Sequence, residues 1–405
     1  MEETNTNKKR ILYFIPTFPV LTETFIAREI TKLIEIDEVD IRILALCKGS
    51  GSIQNFVLNK TTFRRLNLLD CVYAVLYFVR NSKGVLDIYK EIFTSSGLWK
   101  LSNLYLFFKS LVYSHLIKLF KPYHVHCHFL SDPSTIILIA SRILNVPFSV
   151  SGHAKDVFLT GTLIKEKAKY SKFIAICNSY ALKKASEQVD PADKDKIKLL
   201  FHGIDINIFS DPPKMQKPNK PVIFLGGTRL VEKKGIKYLI EASALLKSRG
   251  VKHQIDLVGP GPQYDELKNL VKEKGLENYV FIHGEGKGTP FDEVKEYYKI
   301  ADIFVLPSIE TGEGDADGVP TVIIEAAIAK LPIISTNAGG ISDLISEKTG
   351  LIVPQRDEHS LATAIEKLIF NPELRKELGN AAYEQASKMF DINVNVRKLQ
   401  EGFLS

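Results

Sequence analysis

The 405-residue chain lacks most of what would mark a secreted, membrane-spanning or metal-stapled protein. Its four cysteines, Cys47, Cys71, Cys127 and Cys177, lie far apart and form no Cys-x-x-Cys pair. That spacing argues against a disulfide framework or a thiolate zinc site and reads as reduced, mostly buried thiols. No segment approaches the roughly 20 apolar residues of a membrane-spanning helix. The nearest, Leu68 to Val79, is interrupted by Asp70. The polar opening MEETNTNKKR lacks the apolar core and small-residue cleavage site of a signal peptide, so a cytoplasmic location is expected. Internal repeats, low-complexity blocks and nucleic-acid-reading motifs are missing as well.

What is present is the composition of a soluble globular protein, 45% hydrophobic and 25% charged, long enough to need two cores. The net charge of +6 is unevenly spread. Residues 1–205 carry 28 basic and 19 acidic side chains, a balance of +9; the other 200 carry 25 and 28, a balance of −3. A basic first half suits an anionic membrane or a phosphorylated acceptor. Within it, residues 101–123 mix aromatics, leucine and spaced lysine without one acid. Two fates are open to this segment. It can lie on an anionic membrane, or pack on a sheet with Lys109, Lys118 and Lys121 left in solvent.

Short β-branched runs alternate with helical patterns throughout, which predicts an α/β protein with parallel sheets. Strands are expected at Arg10–Ile15, Val39–Leu46, His124–His128, Phe148–Ser151 and Phe173–Cys177, and in the second half at Val222–Gly226, Gln254–Val258, Val280–His283, Ile303–Leu306, Pro332–Thr336 and Gly350–Val353. The proline-rich stretch 208–220 reads as a linker. It separates a Rossmann-like domain at 1–207 from a second at 221–387, with ligands expected at the carboxyl ends of both sheets.

Two motifs in the second half can hold an anionic ligand. In GGTRLVEKKG, Gly227 allows a tight turn after a strand, and Arg229 and Lys234 place two charges beside a helix N-terminus. A departing diphosphate needs such charge. In DADGVPTVIIEA, Gly318 and Pro320 make a loop before a helix, and the N–H groups near Val319 and Thr321 can meet phosphate or sugar oxygens. Asp317 in the loop and Glu325 on the helix can aim two carboxylates at different hydroxyls of one ligand. In the first half His124, His126 and His128 alternate, so all three point to one face of a strand. His128, nearest the strand end, is a candidate cleft residue. HGID (His202–Asp205) and GPGP (Gly259–Pro262) read as structural turns.

Taken in order, FPVLTETFI, HVHCHF, SGHAKDVF, FHGID, GTRLVEKKG, LVGPGPQYDEL, ADIFVLPS, DGVPTVIIEA and STNAGGISDLI resemble a retaining glycosyltransferase of family 4, with the GT-B fold. The opening segment is most similar to the subgroup that builds bacterial exopolysaccharide and capsule. The resemblance implies a catalytic set of His153, Arg229, Lys234 and Asp317, with Gly227, Gly318, Val319, Pro320, Thr321 and Glu325 completing the donor site. Arg229 and Lys234 would grip the diphosphate, Glu325 the ribose, and His153 the sugar or phosphate. Asp317 stands where the family has glutamate, one methylene shorter, which bears on sugar choice. Thr22 and Glu23 replace the family's glycine turn after the first strand and, with Asp156, are weaker cleft candidates; Asp156 can instead cap a helix.

The resemblance further implies transfer of a hexose from a nucleotide-diphospho-sugar, with a UDP-sugar favoured and GDP-mannose open, to a saccharide or lipid-linked oligosaccharide; with the basic first half it suits peripheral contact with an anionic membrane. It also implies that the terminal helix, from about residue 388, crosses back to the first domain. The Asp315-Ala316-Asp317 triplet spells a metal-binding Asp-x-Asp, but cationic side chains beside it can supply the metal's charge, so no metal or other cofactor is expected. A nucleotide-sugar 2-epimerase and a non-catalytic sugar-nucleotide-binding protein are the alternatives.

Overall fold

The structure, a computed structural model, describes residues 8–405 apart from 21–22, 52, 65–66, 95–96, 98–99, 154–155, 158–160 and 313–317. Thr22, Asp315 and Asp317 therefore lie outside the described residues. The chain forms two compact units, one of residues 1–203 with 392–405 and one of residues 204–391.

The first unit is built on strands β1 (Arg10–Phe18), β2 (Asp40–Lys48), β3 (Thr61–Phe63), β4 (His124–His128), β5 (Phe148–Gly152), β6 (Phe173–Ile176) and β7 (Ile197–Leu199). All pair in parallel, in the order β3-β2-β1-β4-β5-β6-β7. Helices α1 (Thr24–Ile36), α2 (Asn55–Leu58), α3 (Leu68–Phe93), α4 (Leu101–Phe120), α5 (Asp132–Leu144), α6 (Ile164–Tyr170) and α7 (Ser179–Glu187) lie between them. Parallel strands need helical crossovers, which cover both faces and leave the strands apolar on each. Along β1 the alternation is visible. Leu12 and Phe14 join a core with residues of α3, α4 and α5, while Ile11, Tyr13 and Ile15 join one with residues of α1.

Ten residues of α4 are buried, among them Leu106, Phe107, Leu111, Val112 and Leu116. Of the two fates open to this segment, packing on the sheet is the one observed. Burying a leucine or phenylalanine stabilises by roughly 1.5–3 kcal/mol, which a peripheral lipid contact would have to match for each one turned outward.

The second unit holds β8 (Val222–Gly226), β9 (Gln254–Val258), β10 (Val280–His283), β11 (Ile303–Leu306), β12 (Ile333–Thr336) and β13 (Leu351–Val353), with α8 (Ile236–Ser248), α9 (Tyr264–Glu273), α10 (Phe291–Ile300), α11 (Thr321–Ile328), α12 (Glu358–Phe370) and α13 (Pro372–Phe390). Its sheet is also parallel, in the order β10-β9-β8-β11-β12-β13. In both sheets the strand order reverses once, at β1/β4 and at β8/β11. Such a switch point leaves a crevice beyond the strands' carboxyl ends.

The stretch 208–220 is tethered to this unit and is no free linker. The N–H groups of Lys214 and Met215 donate to the Glu296 carboxylate, Lys217 pairs with Asp302 at 2.8 Å, and Phe209 packs on Tyr298. The last helix, α14 (Ile392–Leu404), belongs to the first unit, where Phe403 is buried against His124, His126 and Phe173.

Candidate functional site

The β8/β11 switch point brings together most of the second-half residues singled out from sequence. Gly226 ends β8, and Gly227 turns the chain at a φ of 71°. A side chain on Gly227 would meet Val322 Cγ1 at 3.2 Å and the Tyr298 hydroxyl at 3.4 Å. The turn therefore lies directly against the first turn of α11. Arg229 is exposed, whereas Lys234 is buried in a short 3-10 turn, Glu232–Lys234, ahead of α8.

Two glycines make this packing feasible. Gly235 sits at a φ of 64°, and a Cβ there would lie 1.9 Å from the Pro307 carbonyl oxygen beyond β11. Beside it the Ile309 N–H donates to Lys233 O at 2.9 Å. Gly259, after β9, would place a Cβ 1.9 Å from Thr228 O, and Leu230 N–H donates to Pro260 O at 2.7 Å. The GPGP turn is thus the floor under the Thr228–Leu230 segment.

Glu325 is buried on α11, where the Tyr298 hydroxyl donates to its Oε2 at 3.1 Å and to Val322 O at 3.2 Å. Gly318 and Val319 are half-buried and Pro320 is buried ahead of Thr321, the first residue of α11. Charge, a helix N-terminus without a side-chain cap among the described residues and a buried carboxylate meet at one switch point. That arrangement can hold a phosphorylated ligand with a vicinal diol. Tyr298 was not foreseen, because nothing in FDEVKEYYKI distinguishes it from a core tyrosine.

The β1/β4 switch point of the first unit carries a buried histidine network. His124, His126 and His128 all face the α1 side. Ser149 and Ser151 of β5 stand in register beside His126 and His128. Ser149 Oγ lies 2.7 Å from His124 Nε2 and 2.8 Å from His126 Nδ1, and Ser151 Oγ lies 3.1 Å from His126 Nε2. A second chain of bonds begins at Tyr13, whose hydroxyl donates to Glu29 Oε1 at 2.8 Å. It continues through His128 Nε2 (3.2 Å), His128 Nδ1 to His153 Nε2 (3.3 Å) and His153 Nδ1 to His202 Nε2 (3.1 Å). Phe25 stacks on His202.

Each imidazole–imidazole bond needs one N–H and one lone pair. The tautomers of His153 and His202 therefore follow from whether His128 Nδ1 carries a proton. Burial pushes the Glu29 carboxyl up, but the charge and hydrogen bond of His128, with His202 and Tyr13, hold it below the usual range. Burial drives His153 well below the ordinary imidazole value, with His202, His128 and His126 adding to it, and takes His202 down to about 4. Both are neutral at physiological pH. Both ring nitrogens of His153 are engaged, so a ligand reaching either must displace His128 or His202. His128 itself is fully buried and is not a surface cleft residue. Glu23 precedes α1, its pKa raised by burial against the opposing charge of His128.

Asp156 is buried. Its carboxylate accepts from His153 N–H at 2.8 Å and from Leu130 N–H, tying together the loops that leave β4 and β5. Lys167 of α6 is fully buried and donates to the carbonyls of Leu130 (2.7 Å) and Ser131 (3.0 Å), locking the same loop. Burial raises Asp156 to about 6 and lowers Lys167 to about 7. Among the described residues, two groups have ligand atoms within 4.8 Å of one another, close enough for an ion: Glu29, His126 and His128, and His153, Cys177 and His202.

Sequence reasoning missed Glu29, Lys167 and the part His202 plays. A signal for the network was available. His-x-His-x-His and Ser-x-Ser, in consecutive strands, put polar residues on one inner face where apolar ones are the rule.

Residues 207–385 match the family described as glycosyl transferases group 1. A putative colanic acid biosynthesis glycosyltransferase, WcaL of Escherichia coli K12, is 35% identical over 170 residues, covering 42% of this chain and 41% of that protein. The aligned part is thus less than half of that relative. The amylovoran biosynthesis glycosyltransferase AmsK of Erwinia amylovora is 26% identical over 381 residues, covering 89% and 90%. Among solved structures, a glycosyltransferase from Rickettsia africae superposes with a TM-score of 0.69 at 19% identity over 98% of both chains. Anabaena Alr3699/HepE in complex with UDP gives 0.69 at 16% identity, over 97% of this chain and 98% of that one. The fold is GT-B, with two Rossmann-like units.

Proposed function

For a chain whose residues 207–385 match the group 1 glycosyl transferases, we propose a retaining hexosyltransferase of exopolysaccharide or capsule biosynthesis. It uses a nucleotide-diphospho-sugar, a UDP-sugar in preference to GDP-mannose, and a saccharide or lipid-linked oligosaccharide as acceptor. The convergence of Gly227, the Arg229–Lys234 loop and the α11 terminus with Glu325 carries this reading. The names of the colanic acid and amylovoran relatives support the pathway, and a UDP complex of a protein with this fold supports the donor.

In this reaction the bond from the anomeric carbon to the β-phosphate oxygen breaks, and a bond to the acceptor oxygen forms on the same face. The leaving phosphate takes the acceptor's proton. Arg229 and Lys234 stabilise the dianion as it departs, Glu325 accepts from the ribose hydroxyls, and Asp317 contacts the transferred sugar. His153 touches the sugar or phosphate after exchanging one of its histidine partners. The two cations take the place of a divalent metal, so a chelator leaves turnover unchanged. The reaction runs in the cytoplasm, at the inner face of the plasma membrane.

Screening UDP- and GDP-sugars for thermal stabilisation identifies the donor, because a ligand of the folded state raises apparent stability. Arg229→Ala is expected to abolish turnover and weaken donor binding at least about ten-fold, the loss of one charge-assisted contact. Unaltered kinetics in that variant would remove the assignment.

A further inference from the structure

The first half of α3 is amphipathic in an unusual sense, because both of its sides are apolar. Its inner side enters the core through Ala74 and, beyond the Asn81 kink, Val85 and Tyr89. Its outer side leaves Leu68, Leu69, Val72, Val75, Leu76 and Val79 in solvent, with Leu68 79%, Leu69 77% and Val79 67% exposed. These positions recur at helical spacing, so they form one stripe of about 17 Å at 1.5 Å per residue. A contiguous apolar strip of that size on a monomer marks a contact surface.

The exposed charges that continue the stripe are basic as far as Lys83, and Asp87 follows one turn later. Arg80 and Lys83 continue it toward the middle of α3, both exposed. The stacking of Tyr73 on His115 puts the end of α4 beside its beginning, where Lys118 and Lys121 are exposed with Leu119. The acid in this half of α3, Asp70, is turned inward, bound by Arg64 at 2.8 Å and by the Asn67 N–H at 3.0 Å. Asp87 and Glu91 come only in the second half, and Glu91 is bound by Arg142 at 2.9 Å. An exposed apolar stripe with cations near both ends matches the acyl boundary and headgroups of an anionic lipid surface. No helix among the described residues is long and apolar enough to cross a membrane, so contact of this kind is peripheral.

We propose that the outer stripe of α3, with Arg80, Lys83, Lys118 and Lys121, docks the first unit on an anionic lipid bilayer. The proposal rests on the reading of a membrane-side transferase and names the surface that makes the contact. The test uses the full chain with neither donor nor acceptor, so failure here leaves the donor-site reading standing.

Co-sedimentation is measured with vesicles of phosphatidylcholine alone and of phosphatidylcholine with phosphatidylglycerol. Binding is expected only with the anionic vesicles, and added salt should weaken it. Leu69→Gln with Leu76→Gln should remove at least nine-tenths of the bound protein while leaving the melting temperature and UDP-sugar binding unchanged. Arg80→Gln with Lys83→Gln should weaken partitioning by about thirty-fold, since each cation near such a surface contributes about 1 kcal/mol. Three results would overturn the proposal: no vesicle binding, equal binding to neutral vesicles, or a concentration-dependent dimer that the Leu69/Leu76 variant abolishes.

Discussion

Asp156→Ala tests whether the carboxylate that ties His153 to Leu130 is held against its own preference for water. Removal leaves the N–H groups of His153 and Leu130 unpaired in a buried loop, costing about 1–3 kcal/mol each. It also relieves the burial of a carboxyl whose pKa is raised from 3.8 to about 6. At pH 7 that relief is about 3 kcal/mol. Between pH 3.8 and 6 the folded state binds this proton more tightly than the unfolded chain, so wild-type stability falls as pH rises through that window. The variant lacks this dependence. At pH 7 it should therefore lie within about 3 kcal/mol of wild type, and at pH 5 it should fall behind by about 1.3 kcal/mol more. Titrating groups other than Lys167, whose value Asp156 helps to hold up, cancel in the difference. Urea unfolding at pH 5, 6 and 7 can be followed by the fluorescence of the sole tryptophan, Trp99. A gap that ignores pH, or widens toward pH 7, would show that the two amide donors outweigh burial and refute the reasoning.

Gly235→Ala should lower second-unit stability by about 2–5 kcal/mol in thermal unfolding, combining a left-handed alanine with a clash at Pro307 O. An undiminished melting temperature would mean that the turn before α8 can shift freely. Tyr298→Phe removes the hydroxyl that holds Glu325 and should weaken UDP-sugar binding about ten-fold or more by calorimetry, a hydrogen bond to a charged group contributing about 1.5–3 kcal/mol. Unchanged affinity would separate Glu325 from the ligand.

Much of the architecture was legible because parallel strands buried on both faces read as apolar runs. His124–His128, Val222–Gly226 and Gln254–Val258 coincide with the expected segments to the residue. The edge strands Thr61–Phe63 and Ile197–Leu199 were missed. They are short and largely exposed, so no apolar run announces them. The 227–236 loop could be read as a candidate anion site because it is local: a glycine turn, two cations and a helix start within ten residues. What could not be read is partnership across the chain. Lys167 looks like any lysine of KEKAKY, and its burial arises from carbonyls 36 and 37 residues away. Likewise 208–220 has the composition of a tether, yet Glu296 and Asp302 fasten it. The outer stripe of α3 was visible as Leu68–Val79, but sequence could not say which of its residues would stay in water.

The placement of α14 sets an order of events during synthesis. The first unit needs residues 392–405, since Phe403 and Leu399 complete the face that carries Tyr13 and the β4 histidines. A ribosome adding about 5–20 residues per second takes on the order of ten to forty seconds to make residues 204–391. Throughout that interval the histidine face lacks its last helix. The second unit is continuous in sequence, and Ile204 bridges to Asp391 across its two ends. It can close on itself first, so the half of the chain translated earlier is the half completed later.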